Sequence, residues 1–100
     1  MSVYLMLTTL TDAGRQAVQE DPERLRDINK VVEFMGVKIL SQYALLGQYD
    51  FVNILEAPNN EVMAKLSIRL SVQGHYQTLT LAAITVDSLI ASLKEKQSPW

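Results

Sequence analysis

Gly47-Gln48-Tyr49-Asp50 separates two apolar runs of the chain, residues 37–46 and residues 51–56. Both runs are rich in β-branched, aromatic and aliphatic side chains, a composition typical of strands. Gly47 can adopt a positive φ without steric cost, and Asp50 can accept hydrogen bonds from nearby backbone N–H groups. The stretch therefore predicts a β-hairpin with Tyr49 and Asp50 at the tip of its turn.

Two further strands and three helical segments are predicted on either side of this hairpin. Helix starts are indicated by residue types that cap N-termini, namely Thr11, Asp21, Asn59 and Thr85, and Gly36 is placed to end a helix in the left-handed conformation. In chain order, the elements outside the hairpin are a strand over residues 3–9, a helical stretch over 11–36 that breaks near Pro22, a helix after Asn59, a strand over 75–84 and a helix after Thr85.

This order of elements predicts one domain over residues 1–100 with a ferredoxin-like βαββαβ fold of the α+β class, followed by an extra C-terminal helix. The expected sheet has four antiparallel strands in the spatial order 4-1-3-2, with helices on one face only. With Val3, Leu5 and Leu7 turned toward the helices, the open face would carry Tyr4, Met6 and Thr8. An apolar open face marks a partner surface, and a second copy of the chain is the simplest partner.

Composition excludes several classes of function. The chain has 100 residues, a net charge of -2 and no Cys, so disulfides, thiolate metal sites and Cys nucleophiles are ruled out. The chain lacks a basic stripe of the kind that indicates nucleic-acid binding. It has one His and no cluster of carboxylates, so no metal site is predicted. No phosphate-binding Gly-rich loop is present, and no cofactor is expected. The N-terminal apolar run is too short for a signal peptide or a membrane span, which favours a cytoplasmic protein.

Five short motifs carry a family resemblance: Tyr4-Leu5-Met6-Leu7, Leu10-Thr11-Asp12-Ala13-Gly14, Leu46-Gly47-Gln48-Tyr49-Asp50, Glu56-Ala57-Pro58-Asn59-Asn60-Glu61 and Gly74-His75-Tyr76-Gln77-Thr78-Leu79-Thr80. With these motifs in this order, the chain resembles the GYD-domain family and, more broadly, the dimeric α/β-barrel proteins. The similarity runs from Tyr4 to about Ile84, and it implies a ferredoxin-like fold and homo-oligomers without an established activity. A Gly-x-Tyr-Asp turn in the same topology is also similar to the effector-binding module of leucine-responsive regulators, which would imply binding of small metabolites.

His75 is the candidate catalytic residue, since it alone has an unperturbed pKa near physiological pH. The commoner interpretation is a polar residue at a strand end. Tyr49 and Asp50 are candidate ligand-binding residues, although turn chemistry and packing account for both without a ligand. Tyr4, Tyr43, Asn53 and Thr78, together with Thr80, are predicted to line a cavity at the open face, or else a dimer interface, where Tyr is enriched.

The leading functional hypothesis is a small, self-associating ligand-binding or assembly module without established catalysis. One alternative is a cofactor-free enzyme of the dimeric α/β-barrel type that acts on a small metabolite. A second alternative is a stand-alone metabolite-sensing module. The expected partners are a second copy of the chain and a small metabolite, with no nucleic acid and no membrane.

Overall fold

A computed structural model describes residues 1–95 of the chain. The predicted tail Ser98-Pro99-Trp100 and Lys96, expected near the end of the last helix, lie outside the described residues. The elements in chain order are β1 (Ser2–Leu10), α1 (Asp12–Glu20), α2 (Arg24–Phe34), β2 (Lys38–Ala44), β3 (Phe51–Ala57), α3 (Asn60–Ser71), β4 (Tyr76–Ala83) and α4 (Val86–Lys94).

The four strands form one sheet in the order β2-β3-β1-β4, and every neighbouring pair is antiparallel. This is the predicted order 4-1-3-2 taken from the opposite edge, so the ferredoxin-like α+β fold is confirmed. β2 carries an irregularity between Ile39 and Ser41, where the register with β3 shifts. No helix within residues 1–95 combines the length and the apolar character needed to cross a membrane.

Three of the four predicted helix caps are confirmed. Side-chain oxygens of Thr11, Asn59 and Thr85 each accept a hydrogen bond from the backbone N–H three residues later, at 3.0 Å in every case. The prediction that Asp21 caps a helix was wrong. Its carboxylate accepts a hydrogen bond from the Glu23 N–H at 3.2 Å, within the turn before α2. The carbonyls of Asp21 and Pro22 accept from the N–H groups of Arg24 and Leu25 three residues later, at 3.1 and 3.2 Å. These bonds form a tighter turn than an α-helix, so α2 begins only at Arg24.

Asn59→Ala is expected to lower the free energy of unfolding by about 1 kcal/mol, because the Val62 N–H loses its acceptor at the start of α3. Thermal or urea denaturation measures the loss. Asn59→Ser is the matched control, since Ser retains an N-capping oxygen and should recover most of the stability. Equal destabilisation by both substitutions would show that the cap is not the cause.

The core lies between the sheet and helices α2 and α3, and it reverses the predicted faces of β1. Tyr4, Met6 and Thr8 point toward the helices and are buried, with Met6 packed in one cluster with Leu55 and Leu66. The open face instead receives Val3, Leu5 and Leu7. Both alternating sets are apolar enough to be buried, so alternation alone could not orient the strand. On α3, Met63, Leu66 and Leu70 face the core, whereas Ile68 and the C-cap residue Val72 are exposed.

Candidate functional site

The open face is the side of the sheet that no helix of the described chain covers. Its centre is Val3, Leu5 and Leu7 of β1. The strand register brings apolar residues of both neighbouring strands beside them: Val52 and Ile54 from β3, and Leu79, Leu81 and Ala83 from β4. Leu79 and Leu81 are 44% and 45% exposed. A contiguous apolar patch of this kind marks an interaction surface.

Helix α4 is a second unpartnered apolar feature of residues 1–95. It follows directly on β4, and Val86, Leu89, Ile90 and Leu93 recur at the spacing of one helix face. None of its residues is buried, and α4 makes no substantial contact with another element of residues 1–95. A helix of nine residues gains little stability from propensity alone, so its apolar stripe needs a surface to pack on.

On the opposite face of the sheet, α2 covers a cavity of about 260 Å³, called here the inner cavity. Leu25, Ile28 and Val32 form its roof from one face of α2. Its remaining lining comes from all four strands and α3, and it includes Met6, Thr8, Gln42, Phe51, Asn53, Leu70 and Tyr76. A largely apolar cavity with a few polar groups is the usual form of a small-molecule site.

A chain of three amides joins α2 to the sheet at the inner cavity. Asn29 and Gln42 donate to each other's carbonyl oxygens, at 3.1 and 2.9 Å. The Gln42 amide also donates to Asn53 Oδ1 at 2.6 Å. The network uses both N–H groups of Gln42, and it holds the Asn53 side chain in place while leaving the Asn53 NH₂ available as a donor.

Tyr76 contributes a buried phenol to the same cavity. Burial raises the pKa of Tyr76, and the nearby Arg24 guanidinium offsets part of this rise. The phenol is therefore protonated and neutral at physiological pH, and it can donate a hydrogen bond. Neither Tyr76 nor the amide residues Gln42 and Asn29 were predicted as site residues. The one sequence feature that could have indicated them was Gln42, a polar residue within an apolar strand.

The predicted open-face cluster is divided between the two sides of the sheet. Tyr4 is 3% exposed and its hydroxyl donates to Asn60 Oδ1 of α3 at 2.5 Å. Thr80 lies beside a second, more open cavity with Tyr4, and Asn53 lines the inner cavity. Thr78 pairs with Thr8 and shares the helix-facing side, whereas Tyr43 pairs with the open-face residue Val52 and is 60% exposed. The placement of Tyr4, Asn53, Thr78 and Thr80 at the open face was wrong, because β1 is turned the other way. Tyr43 has its register position on the open face, and it also borders the inner cavity.

The hairpin turn connects β2 to β3 and is also hydrogen-bonded to β1. Gly47 has φ +117°, as the turn prediction requires. β2 ends at Ala44, earlier than predicted, and the Leu45 N–H closes the loop by donating to the Asp50 carbonyl at 2.8 Å. Asp50 Oδ2 accepts from the Leu10 N–H of β1 at 2.8 Å, so its partner lies outside the hairpin. Tyr49 is half-buried beside it. A role for either side chain in ligand binding stays a prediction.

His75 precedes β4 and lines neither of the two cavities. Its carbonyl accepts from the Thr11 N–H at 3.0 Å, and its ring meets Tyr76 edge to face with the centroids 6.1 Å apart. Its Nδ1 atom is buried without a hydrogen-bond partner among the described residues. Its backbone therefore has a clear structural role, and catalysis by its imidazole stays a prediction.

Comparison with known proteins agrees with this architecture. The family model of the GYD domain matches residues 4–93. A protein of Thermus thermophilus, described as "Glutamine synthetase and cystathionine beta-lyase binding protein", is 42% identical over 95 residues, which cover 94% of this chain and 100% of the relative. The match spans both the apolar sheet and the hairpin turn, and the chain belongs to the GYD domain family.

Proposed function

We propose that the protein is a self-associating, non-catalytic protein-binding module whose partners include an enzyme of the kind that its relative is named for, glutamine synthetase or cystathionine β-lyase. The observation that carries the proposal is the open face with α4, an apolar surface on a domain whose core is already complete on the other side. The relative's printed description as a binding protein supports the choice of protein partners.

The size of the surface favours a second copy that uses both features. Four strands of about seven residues, about 4.8 Å apart, outline roughly 450 Å² of sheet. A stable dimer buries about 800 Å² on each partner, so the open face falls short by itself. The apolar stripe on α4 adds further area for such an interface. We infer that a two-fold pair buries the open faces against each other and packs each α4 on the partner.

The self-association is tested by light scattering after size-exclusion chromatography. The wild type should elute as a dimer or larger assembly at micromolar concentration. Leu81→Glu should raise the dissociation constant at least about tenfold, because the interface would bury an unpaired carboxylate. Ile68→Glu is the matched control: it places the same charge at an exposed position of α3, on the other side of the domain, and should leave the assembly intact. A monomeric wild type would overturn the self-association.

The partner proposal is tested separately with purified glutamine synthetase and cystathionine β-lyase from the protein's own organism. Immobilised wild-type protein should bind at least one of them and should not bind an unrelated enzyme of similar charge. Binding to neither enzyme would overturn the hetero-partner, whatever the oligomeric state proves to be.

The cofactor-free enzyme has weaker support from the geometry. Its candidate acid or base, His75, lines neither the inner cavity nor the second cavity. The inner cavity is more consistent with binding alone.

A further inference from the structure

The inner cavity carries an inference that goes beyond protein binding. It lies within a single protomer, between α2 and the sheet, on the face opposite the open face. Its lining suits a flat ring: Leu25, Ile28 and Val32 form an apolar roof, and Phe51 lies among the lining residues of the sheet. A volume of about 260 Å³ suits a metabolite or a fragment smaller than a typical drug.

Two hydroxyl groups of the lining belong to side chains that are more than nine-tenths buried. Thr8 is 6% exposed and Tyr76 is 8% exposed. Neither hydroxyl takes part in a side-chain hydrogen bond found within residues 1–95. Within residues 1–95 the one fully buried side-chain polar atom without a partner is Nδ1 of His75, so both hydroxyl oxygens keep access to the cavity. They can therefore pair there with water or with a bound molecule.

Asn53 adds a third polar group with a defined orientation. Its Oδ1 atom is used by the Gln42 amide at 2.6 Å, which leaves the Asn53 NH₂ as a donor. Because Met6 pairs with Asn53, and Thr8 with Phe51, the Asn53 amide and the Thr8 hydroxyl lie diagonally on the same side of neighbouring strands. At such diagonal positions the side chains are about 7 to 8 Å apart, close enough for one small molecule to reach both.

The charge of the lining restricts the ligand further. None of the described residues that line the inner cavity is Asp, Glu, Lys or Arg. A carboxylate, a phosphate or an ammonium group would lose its hydration there without contacting an opposite charge in the lining, which is costly. Arg24 and Asp27 lie near Tyr76 but outside the lining, and they act on it with opposite signs. Free amino acids and phosphorylated metabolites therefore fit the cavity poorly, whereas a neutral amide or lactam does not incur this cost.

We propose that the inner cavity binds an uncharged organic molecule with a flat ring and a carbonyl oxygen. The ring packs between Phe51 and the roof of α2, and the carbonyl accepts a hydrogen bond from the Asn53 amide. Thr8 and Tyr76 are the further hydrogen-bonding groups. The site is complete in one protomer, and it neither requires nor excludes the protein partners proposed above.

The experiment uses a matched pair of probes, indole-3-acetamide and indole-3-acetate. They share ring and side-chain length and differ in charge. Each is titrated into ¹⁵N-labelled full-length protein at constant pH and ionic strength. The neutral acetamide should shift the amide resonances of Thr8, Phe51 and Asn53, and it should bind at least tenfold more tightly than the acetate.

Two variants locate the site. Ala44 lies at the exposed edge of β2 and lines the cavity, so Ala44→Phe should obstruct the cavity and abolish binding while the fold is kept. Ala13→Phe makes the same change at an exposed position of α1 and should leave the affinity unchanged. Thr8→Val removes one hydroxyl at similar volume and should weaken the acetamide about threefold to tenfold, as expected for one lost hydrogen bond.

Four outcomes would overturn the proposal. They are binding of neither probe at millimolar concentration, equal or tighter binding of the charged acetate, shifts that map to residues outside the inner cavity, and an unchanged affinity in a folded Ala44→Phe. The ¹⁵N spectrum reports folding of each variant in the same experiment. If Ala44→Phe or Thr8→Val fails to fold, the acetamide-to-acetate ratio and the shift map of the wild type still decide the question.

Discussion

Gly14→Ala is expected to destabilise the protein by about 3 kcal/mol, although Gly→Ala within an exposed helix normally stabilises by up to about 1 kcal/mol. The reversal has a steric cause. Gly14 lies in the first turn of α1, and a Cβ atom there would lie 2.0 Å from the carbonyl oxygen of His75 and 2.9 Å from its carbonyl carbon. Both atoms belong to the backbone, so no side chain can rotate away.

The close approach is held by two hydrogen bonds that the methyl group would break. The Thr11 N–H donates to the His75 carbonyl at 3.0 Å, and the Thr11 hydroxyl donates to the Gly74 carbonyl at 2.6 Å. Moving α1 outward far enough for a methyl group lengthens both. The expected penalty therefore combines overpacking with the loss of hydrogen bonds, each typically about 1 kcal/mol or more.

Urea denaturation and thermal melting measure the effect of Gly14→Ala. A loss of about 3 kcal/mol corresponds to a fall of roughly 12 to 24 °C in the melting temperature of a domain of this size. Gln19→Ala is the control, because it alters helix propensity at an exposed position of the same helix without a steric change, and it should stay within about 0.5 kcal/mol of the wild type. A Gly14→Ala protein as stable as the wild type would contradict the close contact.

Asp50→Ala is expected to cost about 2 kcal/mol, the second-largest effect. β3 begins at Phe51, which pairs with Thr8, so the ladder between β1 and β3 has ended before Leu10. The carboxylate of Asp50 supplies the missing acceptor to the Leu10 N–H at 2.8 Å, and the Asp50 N–H donates to the Thr8 carbonyl at 2.9 Å. Since Leu10 is buried, its N–H would be left unpaired in the variant.

Asp50→Asn is the matched control for Asp50→Ala. It retains an oxygen acceptor and loses only the charge, so it should cost less than half as much, because hydrogen bonds to charged groups are about twice as strong as neutral ones. Amide hydrogen exchange gives a second, local measurement. The Leu10 amide should exchange faster in Asp50→Ala and remain protected in Asp50→Asn. Unchanged protection of Leu10 in Asp50→Ala would show that the carboxylate is not its acceptor.

Much of the candidate site could not be predicted, for a reason that the amide chain illustrates. Asn29 belongs to α2, Gln42 to β2 and Asn53 to β3, and no spacing along the chain relates a helix face to the strand it covers. His75 and Asp50 were predicted as site residues because of their chemical types. In the structure, the backbone carbonyl of His75 and the carboxylate of Asp50 each accept a tertiary hydrogen bond. Gly14 carries no local signal of its contact, because the opposing carbonyl comes from the other end of the chain.

Local features were determined by the amino-acid sequence alone. The caps Thr11, Asn59 and Thr85 depend on a hydrogen bond that spans three residues, and the positive φ of Gly36, Gly47 and Gly74 depends on the missing Cβ. The order of strands and helices then left the ferredoxin-like arrangement as the expected fold, and the hairpin at Gly47 belongs to this group.

Only the tertiary structure decided which face of β1 is buried. A sheet that is apolar on both sides has no polar face to identify the solvent side, so alternation is consistent with either orientation. Packing made the choice: Met6 fits beside Leu55 and Leu66, and the Tyr4 hydroxyl reaches Asn60. That choice places Leu5 and Leu7 on the open face and Thr8 in the inner cavity, and it thereby determines where both proposed binding surfaces lie.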